Sequence, residues 1–500
     1  MKLEPIIGLE IHVQLKTQSK MFCGCSNAGE DLPPNSAICP VCLGHPGTLP
    51  VPNETAMQWA VRAAVALHCR IAPLSKFDRK NYFYPDLPKG YQISQYDVPI
   101  GEDGYVEIES GGEVKRIGVV RLHVEEDAAK LMHASDGAHS LVDFNRAGTP
   151  LLEIVTAPDM RSPEEAKVFL QELRLLMRYL GVSDADMEKG HLRCDANISL
   201  RPEGDTKRYP KTEIKNINSF RFVERALKYE IERQRKLWEK GEPPAVSATR
   251  GWDERSQATI LQREKEAEHD YRYFPEPDIP PFVFSESYVE SVRRSLPELP
   301  IAKRKRFQEQ YGLSVADARV ICDDLSLAHY TEQVISELKA WLEAEGSEGT
   351  AEEMWEKEKK KMGALVGGWL VSKLGGVLSA KRMAIADIPI QPEDFAELVK
   401  MIASRELTAR MAMAVLERMV ETGKDPHVIV EEEGYEQVSD EETLEQIATE
   451  IIASFPDQAA QYRAGKEPVL MFFVGQLMKK TKGQADPQKA KEILQALLRQ

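Results

Sequence analysis

The sequence has none of the segments that mark a membrane-spanning or exported protein. No apolar run approaches the roughly 20 residues that a transmembrane helix needs. The start, Met1–Pro5, has no apolar stretch behind a basic one, so we expect no signal peptide. These absences predict a cytoplasmic protein, with no membrane partner, whose cysteines stay reduced.

Motifs for several common chemistries are also missing. The pattern G-x-x-x-x-G-K-[ST] is absent, which excludes a P-loop as a phosphate site, and the kinase-type pattern G-x-G-x-x-G-x-V is absent too. The chain has no Ser- and Gly-rich nucleophile segment of the kind that amidases use. Any ammonia made from glutamine would therefore have to come from another chain.

Positive charge is scarce relative to negative charge. The chain has 65 Lys and Arg against 80 Asp and Glu, a net charge of −15, which argues against coating nucleic acid by bulk attraction. Two basic runs, Lys303–Arg306 and Lys479–Lys480 with Lys482, are either local nucleic-acid patches or solvated helix faces. Hydrophobic residues at 42% and charged residues at 29% are ordinary for a globular chain, and 500 residues predict two to four domains.

Strand-like alternation dominates the first 290 residues or so. Ile7–Leu15, Val119–Glu126 and Leu192–Arg201 alternate apolar and polar residues, as in a sheet with one face packed on a core. In the second segment, Val120, Leu122 and Val124 are expected on the core face. The polar faces carry His, Glu, Asp, Arg and Asn, which favours a working surface over a plain solvated face.

Helices interrupt the sheet region and fill the rest of the chain. Ser162 with Glu165 predicts a capped helix that Gly181 ends, and another helix is expected from Ser219 to Lys240. The Pro-rich segment 274–281 predicts a rigid loop, and the Glu- and Lys-rich segment Glu343–Lys361 predicts an exposed helix or loop insertion. Further helices are expected around Pro392–Ala403, Leu407–Glu421, Glu441–Ala453, Pro468–Lys480 and Pro487–Leu498. The fold class is therefore α+β, with a mixed or antiparallel sheet followed by all-helical domains.

Four of the seven cysteines lie close together in the sequence. Cys23, Cys25, Cys39 and Cys42 form C-x-C and C-P-x-C pairs, a spacing that suits a closed tetrahedral thiolate site for structural zinc. Free thiols or a disulfide are the alternatives. A site with four cysteine ligands has no open position for catalysis.

Carboxylates and imidazoles share polar strand faces. Glu10 and His12 lie on one such face, Glu125 lies on the face of His123, and Glu153 is conspicuous in an apolar segment. Buried carboxylates need a partner, and carboxylates with an imidazole suit Mg²⁺ that carries nucleotide phosphates. The alternative is ion pairing with nearby arginines.

Six blocks in order resemble the B subunit family of aspartyl/glutamyl-tRNA amidotransferases. Each block alone is weak, but together they cover most of residues 6 to 281, and the C-terminal helices resemble the tail domain of the family. The blocks are Gly8–Leu15, Lys80–Asp86, Asp143–Ile154, Arg193–Asn197, Glu213–Ser219 and Asp270–Pro277.

This resemblance implies an ATP-dependent ligase component. The activity would be phosphorylation of the side-chain carboxylate of Glu-tRNA(Gln), Asp-tRNA(Asn) or both, followed by amidation with ammonia. It implies a heterotrimer with a glutaminase A subunit and a small C subunit. It also implies a cradle domain at 1–292, a helical domain at 293–405 and a tRNA-binding tail at 406–500.

Site residues follow from joining the resemblance to the pattern of charges. We expect Glu10, His12, Glu125 and Glu153 to be catalytic and to hold Mg²⁺. Cations suited to the phosphates of ATP are Lys80, Arg146, Arg193 and Lys215.

Two other functions are compatible with parts of the pattern. A non-catalytic RNA-binding scaffold would not explain the clustered His and Glu residues. A metal-dependent hydrolase would need an open metal site, which four cysteine ligands do not leave.

Overall fold

The computed structural model describes residues 2–133, 139–265, 270–344, 350–435, 441–481 and 485–499. It divides into two compact units, Met1–Pro300 and Ile301–Gln500. In its described residues the first unit combines helices with sheets and the second is helical, which confirms the predicted α+β class.

The first unit is built around a mixed sheet. Its strands are β1 (Leu3–Gln14), β2 (Arg70–Ile71), β3 (Leu74–Ser75), β4 (Asp78–Asn81), β5 (Tyr91–Ser94), β6 (Gly101–Ser110), β7 (Glu113–Glu126), β8 (Lys130–His133), β9 (Ser140–Asp143), β10 (Pro150–Thr156), β11 (Leu192–Pro202), β12 (Thr212–Lys215), β13 (Ser247–Asp253), β14 (Ala258–Lys265), β15 (Phe274–Pro275) and β16 (Phe282–Val283). Its helices are α1 (Glu54–Ala66), α2 (Pro163–Tyr179), α3 (Phe220–Glu239) and α4 (Glu286–Arg294).

Nine strands form the main sheet in the order β14-β13-β12-β11-β1-β10-β7-β6-β2. All neighbours are antiparallel except β12 and β13, which are parallel. The apolar faces of the strands pack with α1, α2 and α3 in one hydrophobic core, where Ile7, Leu9 and Ile11 are buried. The opposite face is therefore free to carry the polar residues.

Local sequence signals set the helix ends as predicted. Ser162 caps α2 by accepting a hydrogen bond from the N–H of Glu165, and Ser219 caps α3 through the N–H of Phe222. The Pro-rich segment is held at both ends, because Phe274–Pro275 pairs with β4 and Phe282–Val283 pairs with β3.

Val120 departs from the predicted alternation. The pairing of β7 with β10 shifts between Val155 and Thr156, so that Arg121 and Val119 face successive residues of β10 and Val120 is left between them. Val119 is buried, whereas Val120 is 49% exposed on the polar side. Such a bulge redirects one side chain, and the prediction that Val120 faces the core was wrong.

The second unit contains the remaining helices. These are α5 (Pro300–Tyr311), α6 (Val315–Cys322), α7 (Leu325–Ala344), α8 (Ala351–Gly367), α9 (Gly375–Lys381), α10 (Pro392–Ala403), α11 (Ala409–Thr422), α12 (Pro426–Glu433), α13 (Glu441–Ser454), α14 (Pro456–Arg463), α15 (Val469–Lys480) and α16 (Pro487–Arg499). A π-helical segment, Gly368–Leu374, joins α8 to α9, and a 3₁₀ turn covers Ile385–Asp387. The five helices predicted beyond residue 390 are confirmed as α10, α11, α13, α15 and α16.

The structure agrees only in part with two predictions for this unit. The segment Glu343–Lys361 is helical from Ala351, but Trp355 is buried and its Nε1 donates to the carbonyl oxygen of Gln310 at 2.7 Å. Lys303 and Arg304 are also buried, whereas Lys305 is exposed, so only part of the first basic run lies on the surface. In the second run, Lys480 pairs with Glu450, and Lys482 lies outside the described residues.

One helical stretch of the described chain has the length and composition of a membrane span, contrary to the expectation from the sequence. It is Glu352–Lys381, with a mean hydropathy of 1.3 over its most apolar window, and 50% of that window is buried in the protein. Because core helices commonly have this composition, a single stretch of this kind is weak evidence for a membrane.

Candidate active site

Polar side chains form a row across four neighbouring strands of the main sheet. Cross-strand pairing places Arg193 of β11 opposite His12 of β1, His12 opposite Glu153 of β10, and Glu153 opposite His123 of β7. Directly paired residues on one face have Cβ atoms about 5 Å apart. Antiparallel pairing thus gathers residues that are far apart in the sequence into one site.

Two carboxylates and two imidazoles form the centre of this row. His12 Nε2 lies 3.5 Å from Glu153 Oε2 and 3.7 Å from Glu125 Oε1. His123 Nε2 lies 3.3 Å from Glu153 Oε2 and 3.7 Å from Glu125 Oε2. The ligand atoms of Glu10, His12 and Glu153 lie within 4.8 Å of one another, as do those of His123, Glu125 and Glu153. We call these five residues the Glu–His cluster.

Burial and opposite charge compete in the Glu–His cluster. Burial disfavours the charged imidazole of His123, but Glu153 and Glu125 outweigh it and raise the pKa of His123 to about 9. The same carboxylates raise the pKa of His12 against its burial. Although burial opposes the change, His123 helps to lower the pKa values of Glu125 and Glu153. The pKa of Glu10 is raised, by burial first and then by the charge of Glu153.

The Glu–His cluster lines a cavity of about 890 Å³. Of the four cations expected near phosphates, Lys80, Arg193 and Lys215 also line it. Arg193 Nη2 is 2.8 Å from Asp127 Oδ2, and Lys215 forms ion pairs with Asp195 and Glu213. These ion pairs orient Arg193 and Lys215 toward the cavity and neutralise part of their charge.

Lys80 is the least restrained of these cations. Its Nζ lies 5.2 Å from the ring centroid of Tyr271, and it forms no ion pair within the part of the chain that the structure describes. Burial lowers its pKa, but the charges of Glu125 and Glu153 outweigh that effect and raise the pKa overall. The ammonium group therefore remains available for an anionic ligand.

Arg146 does not line the cavity. Its Nε and Nη2 donate to the carbonyl oxygens of Ala128 and Ala129 at 2.9 and 2.7 Å, and its Nε lies 3.8 Å from Asp127 Oδ2. Arg146 thus contacts the chain that follows β7, and this placement favours a supporting role over contact with phosphate.

Three site residues were missed as candidates from the sequence. His123 stands on a predicted polar face, but the register that pairs it with Glu153 is not visible in the local sequence. Asp127 and Asp195 line the cavity beside the cations that they orient. Asp195 stands on the polar face of a predicted strand, which is the signal that would have identified it.

The four cysteines of the predicted metal site converge. Their Sγ atoms lie within 4.8 Å of one another, and all four are free thiols in the structure. The N–H of Cys39 donates to Cys42 Sγ at 3.2 Å. The pKa of Cys42 is lowered to about 4, chiefly by a hydrogen bond from Cys23 that outweighs the effect of burial. The N–H of Cys39 and the positive charge of Lys20 lower this pKa further.

Lys20 provides a second indication at the cysteine cluster. Its side chain is fully buried, with Nζ 3.8 Å from Cys42 Sγ and 3.2 Å from the carbonyl oxygen of Phe144. A buried ammonium group requires a compensating anion. Four thiolates around Zn²⁺ carry a net negative charge, so the donor set and its counter-ion both fit zinc.

Comparisons with known proteins agree along the whole chain. The model of the GatB/GatE catalytic domain matches residues 5–290, and that of the GatB domain matches residues 350–498. Three similar relatives are each named as the B subunit of an aspartyl/glutamyl-tRNA(Asn/Gln) amidotransferase. The protein of Carboxydothermus hydrogenoformans is 47% identical over 495 residues, covering 98% of each chain. That of Persephonella marina is 46% identical over 500 residues, covering 100% of each. That of Synechococcus elongatus is 49% identical over 507 residues, covering 99% of this chain and 98% of the relative. The chain therefore belongs to the family of aspartyl/glutamyl-tRNA(Asn/Gln) amidotransferase B subunits.

Proposed function

We propose that this chain uses ATP to activate the side-chain carboxylate of Glu carried on tRNA(Gln), of Asp carried on tRNA(Asn), or of both. Ammonia then converts the activated group into an amide, giving Gln-tRNA(Gln) or Asn-tRNA(Asn) for protein synthesis. The chain is thus the B subunit of a ligase that forms C–N bonds. The observation that carries the proposal is the Glu–His cluster in its cavity, in a chain that matches this family over its full length.

The chemistry explains why ATP is needed. A carboxylate resists attack because it is negatively charged and has no good leaving group. Transfer of the γ-phosphoryl group of ATP to one carboxylate oxygen gives an acyl phosphate and ADP. Ammonia then attacks the acyl carbon, the C–O bond to phosphate breaks, and an amide and inorganic phosphate result. Phosphoryl transfer depends mainly on positioning and charge neutralisation, which fixed side chains can supply.

Magnesium fits the donor set of the Glu–His cluster. Carboxylate oxygens with one imidazole and water are suitable ligands, and the ligand atoms of Glu10, His12 and Glu153 lie within 4.8 Å of one another. Glu10, His12, Glu125 and Glu153 would hold the ion. When bound, Mg²⁺ would neutralise charge on the phosphates of ATP.

The protein's own cations have separable roles in this proposal. Lys80, which has no ion-pair partner among the described residues, binds a phosphate oxygen directly. Arg193 and Lys215 contact phosphates from positions held by their acidic partners. Arg146 is the weakest candidate, because its guanidinium donates to two backbone carbonyl oxygens instead.

Partners and location complete the proposed function. The chain acts in the cytoplasm in a heterotrimer with a glutaminase A subunit, which makes the ammonia, and a small C subunit. Structural zinc is held by Cys23, Cys25, Cys39 and Cys42, and it keeps the loop between β1 and α1 folded.

In this proposal the chain has three domains with different functions. The cradle at 1–292 carries the chemistry, and the tail grips tRNA through its phosphates and shape. The sequence suggested a boundary between the helical domain and the tail at 405/406. One hydrophobic cluster spans Tyr330–Ile429 and the next spans Leu444–Leu498, so we place the boundary between Ile429 and Leu444.

The test uses the chain in complex with its A and C partners. Misacylated Glu-tRNA or Asp-tRNA is incubated with ATP, Mg²⁺ and ammonium in place of glutamine, and the amide on the tRNA is measured with the ADP released. Amide that requires ATP, with one ADP for each amide, supports the proposal. Amide formed without ATP use contradicts carboxylate activation. Failure with both tRNAs would favour an RNA-binding scaffold.

A further inference from the structure

Four tyrosines form a continuous wall in the active-site cavity. The rings of Tyr96 and Tyr273 are stacked, with centroids 4.2 Å apart and planes 10° apart. Tyr271 meets Tyr273 edge-on at 6.1 Å, and Tyr82 meets Tyr271 edge-on at 5.9 Å. All four residues line the cavity, and we call them the tyrosine wall.

The tyrosine wall is not part of the hydrophobic core. None of its rings belongs to the core that packs against α1, α2 and α3, and Tyr96 is 51% exposed. Burial raises the pKa of Tyr273 to about 12, so its hydroxyl stays neutral near anionic groups. Neutral aromatic faces that border a polar cavity suit a flat ligand better than a phosphate.

A cation stands beside the tyrosine wall. Lys80 Nζ lies 5.2 Å from the ring centroid of Tyr271. Flat aromatic rings beside a cation are a surface on which the bases of single-stranded nucleic acid stack.

A second cavity provides a separate binding site for the nucleoside of ATP. This cavity, of about 560 Å³, combines apolar side chains such as Leu9 and Ile198 with polar and basic ones such as Asn197 and Arg201, and it is bordered by Glu10. The tyrosine wall instead stands near Glu125 and Glu153, whose charges act on Tyr273. In-line phosphoryl transfer requires the two substrates to approach from different sides.

We infer that the tyrosine wall binds the unpaired 3′-terminal nucleotides of the aminoacyl-tRNA by stacking. This inference rests on the proposed function and identifies the residues that position the aminoacylated end of the tRNA in the cavity. The amino acid is esterified to the terminal ribose. A terminal base stacked on the tyrosine wall therefore brings the side-chain carboxylate of that amino acid toward Glu125 and Glu153. Stacking is tolerant of sequence, which suits an end shared by different tRNAs.

Steady-state kinetics of the heterotrimer test the inference first. Tyr96→Ala and Tyr273→Ala should raise the KM for aminoacyl-tRNA at least fivefold and leave the KM for ATP unchanged. Tyr96→Phe keeps the ring and should restore the KM for aminoacyl-tRNA. Tyr105→Ala is the matched control, because Tyr105 stacks on His68 with centroids 4.3 Å apart outside the cavity. An unchanged KM for aminoacyl-tRNA in both alanine variants would overturn the inference, as would a rise confined to the KM for ATP.

A fluorescence measurement decides the inference without turnover. Uncharged tRNA that carries 2-aminopurine in place of its 3′-terminal adenine should lose fluorescence on binding the wild-type complex, since stacking quenches this base. The quenching should disappear in Tyr96→Ala and Tyr273→Ala and persist in Tyr96→Phe. Equal quenching in the alanine variants would contradict stacking on the wall. A wild-type complex that quenches but forms no amide would contradict the proposed function and leave the wall assigned to tRNA.

Discussion

Individual residues of the Glu–His cluster depend on each other for their charge. In the protein alone, His12 and His123 supply the positive charge that stabilises the buried carboxylates of Glu125 and Glu153. A bound cation would compete for the same carboxylates. The pH dependence of stability should therefore report this arrangement.

The folded protein without metal should lose stability as pH rises above neutrality. The pKa of His123 rises from an ordinary 6.5 to about 9 in the fold, so the folded state binds this proton more tightly than the unfolded state. Its contribution is complete below about pH 6.5 and disappears as pH passes about 9. Thermal unfolding in chelator should show the wild-type midpoint falling more steeply across this window than that of His123→Gln. Parallel curves would contradict the charge assigned to His123.

Lys20 should control the affinity of the cysteine site for zinc. Lys20→Met removes the buried ammonium 3.8 Å from Cys42 Sγ, and loss of such a supporting contact weakens metal binding by about 10- to 100-fold. Competition with a zinc chelator measures the effect. Lys16→Met is the control, since Lys16 is 48% exposed and pairs with Asp184. Equal zinc retention in both variants would show that the ammonium group does not support the metal.

Secondary-structure elements hold the cavity walls through buried polar contacts. The hairpin of β13 and β14 contributes Ser247 and Arg263 to the cavity lining. It is attached to α3 through Glu230, which is fully buried, pairs with Arg250 at 3.1 Å and accepts a hydrogen bond from Thr259. A helix residue on the core side thus anchors part of the active site.

Removing this anchor should loosen the hairpin. Glu230→Ala leaves the partly buried Arg250 without its carboxylate, and breaking a pair with a fully buried member costs up to about 3–5 kcal/mol. Hydrogen exchange should become faster in β13 and β14 and stay unchanged in β1 and β10. Glu232→Ala, two residues along α3 and 56% exposed, is the control and should change little. Equal hydrogen-exchange rates in β13 and β14 of the two variants would show that Glu230 does not support the site.

Strands and helices with strong local signals were predictable from the sequence, whereas the pairing between them was not. Alternation predicted β1, β7 and β11, the capping box at Ser162 predicted α2, and a helix from Ser219 to Lys240 was expected where α3 lies. The exposure of Val120 depends on a bulge created by pairing with β10, which leaves no mark within β7 itself. His123 was overlooked for the same reason, because its role depends on facing Glu153.

The family of the whole chain was predictable from ordered blocks, whereas the boundary that we propose between the helical domain and the tail rests on packing. A boundary at 405/406 is consistent with the local patterns of the helices. The hydrophobic cluster from Tyr330 to Ile429 is formed by contacts between distant helices, which a linear pattern does not record.

Deleting the tail should impair the use of tRNA but not of ATP. Removing residues 441–500 takes away the last hydrophobic cluster and leaves the preceding one intact. The KM for aminoacyl-tRNA should rise at least tenfold, because phosphate contacts supply much of the affinity for nucleic acid. The KM for ATP should not change. An unchanged KM for aminoacyl-tRNA would mean that the tail is not a tRNA-binding element.

Glu125→Ala provides the most direct test that activation of the carboxylate occurs in the Glu–His cluster. The variant heterotrimer is compared with wild type and with Glu107→Ala, a surface change that removes a carboxylate paired with Arg116. Amide formation on Glu-tRNA or Asp-tRNA is followed with ATP, Mg²⁺ and ammonium, and tRNA binding is measured separately. We predict that Glu125→Ala abolishes ATP-dependent amide formation while tRNA binding and the Glu107→Ala control remain at wild-type levels. Wild-type turnover in Glu125→Ala would contradict the assignment and move the site of activation elsewhere in the complex.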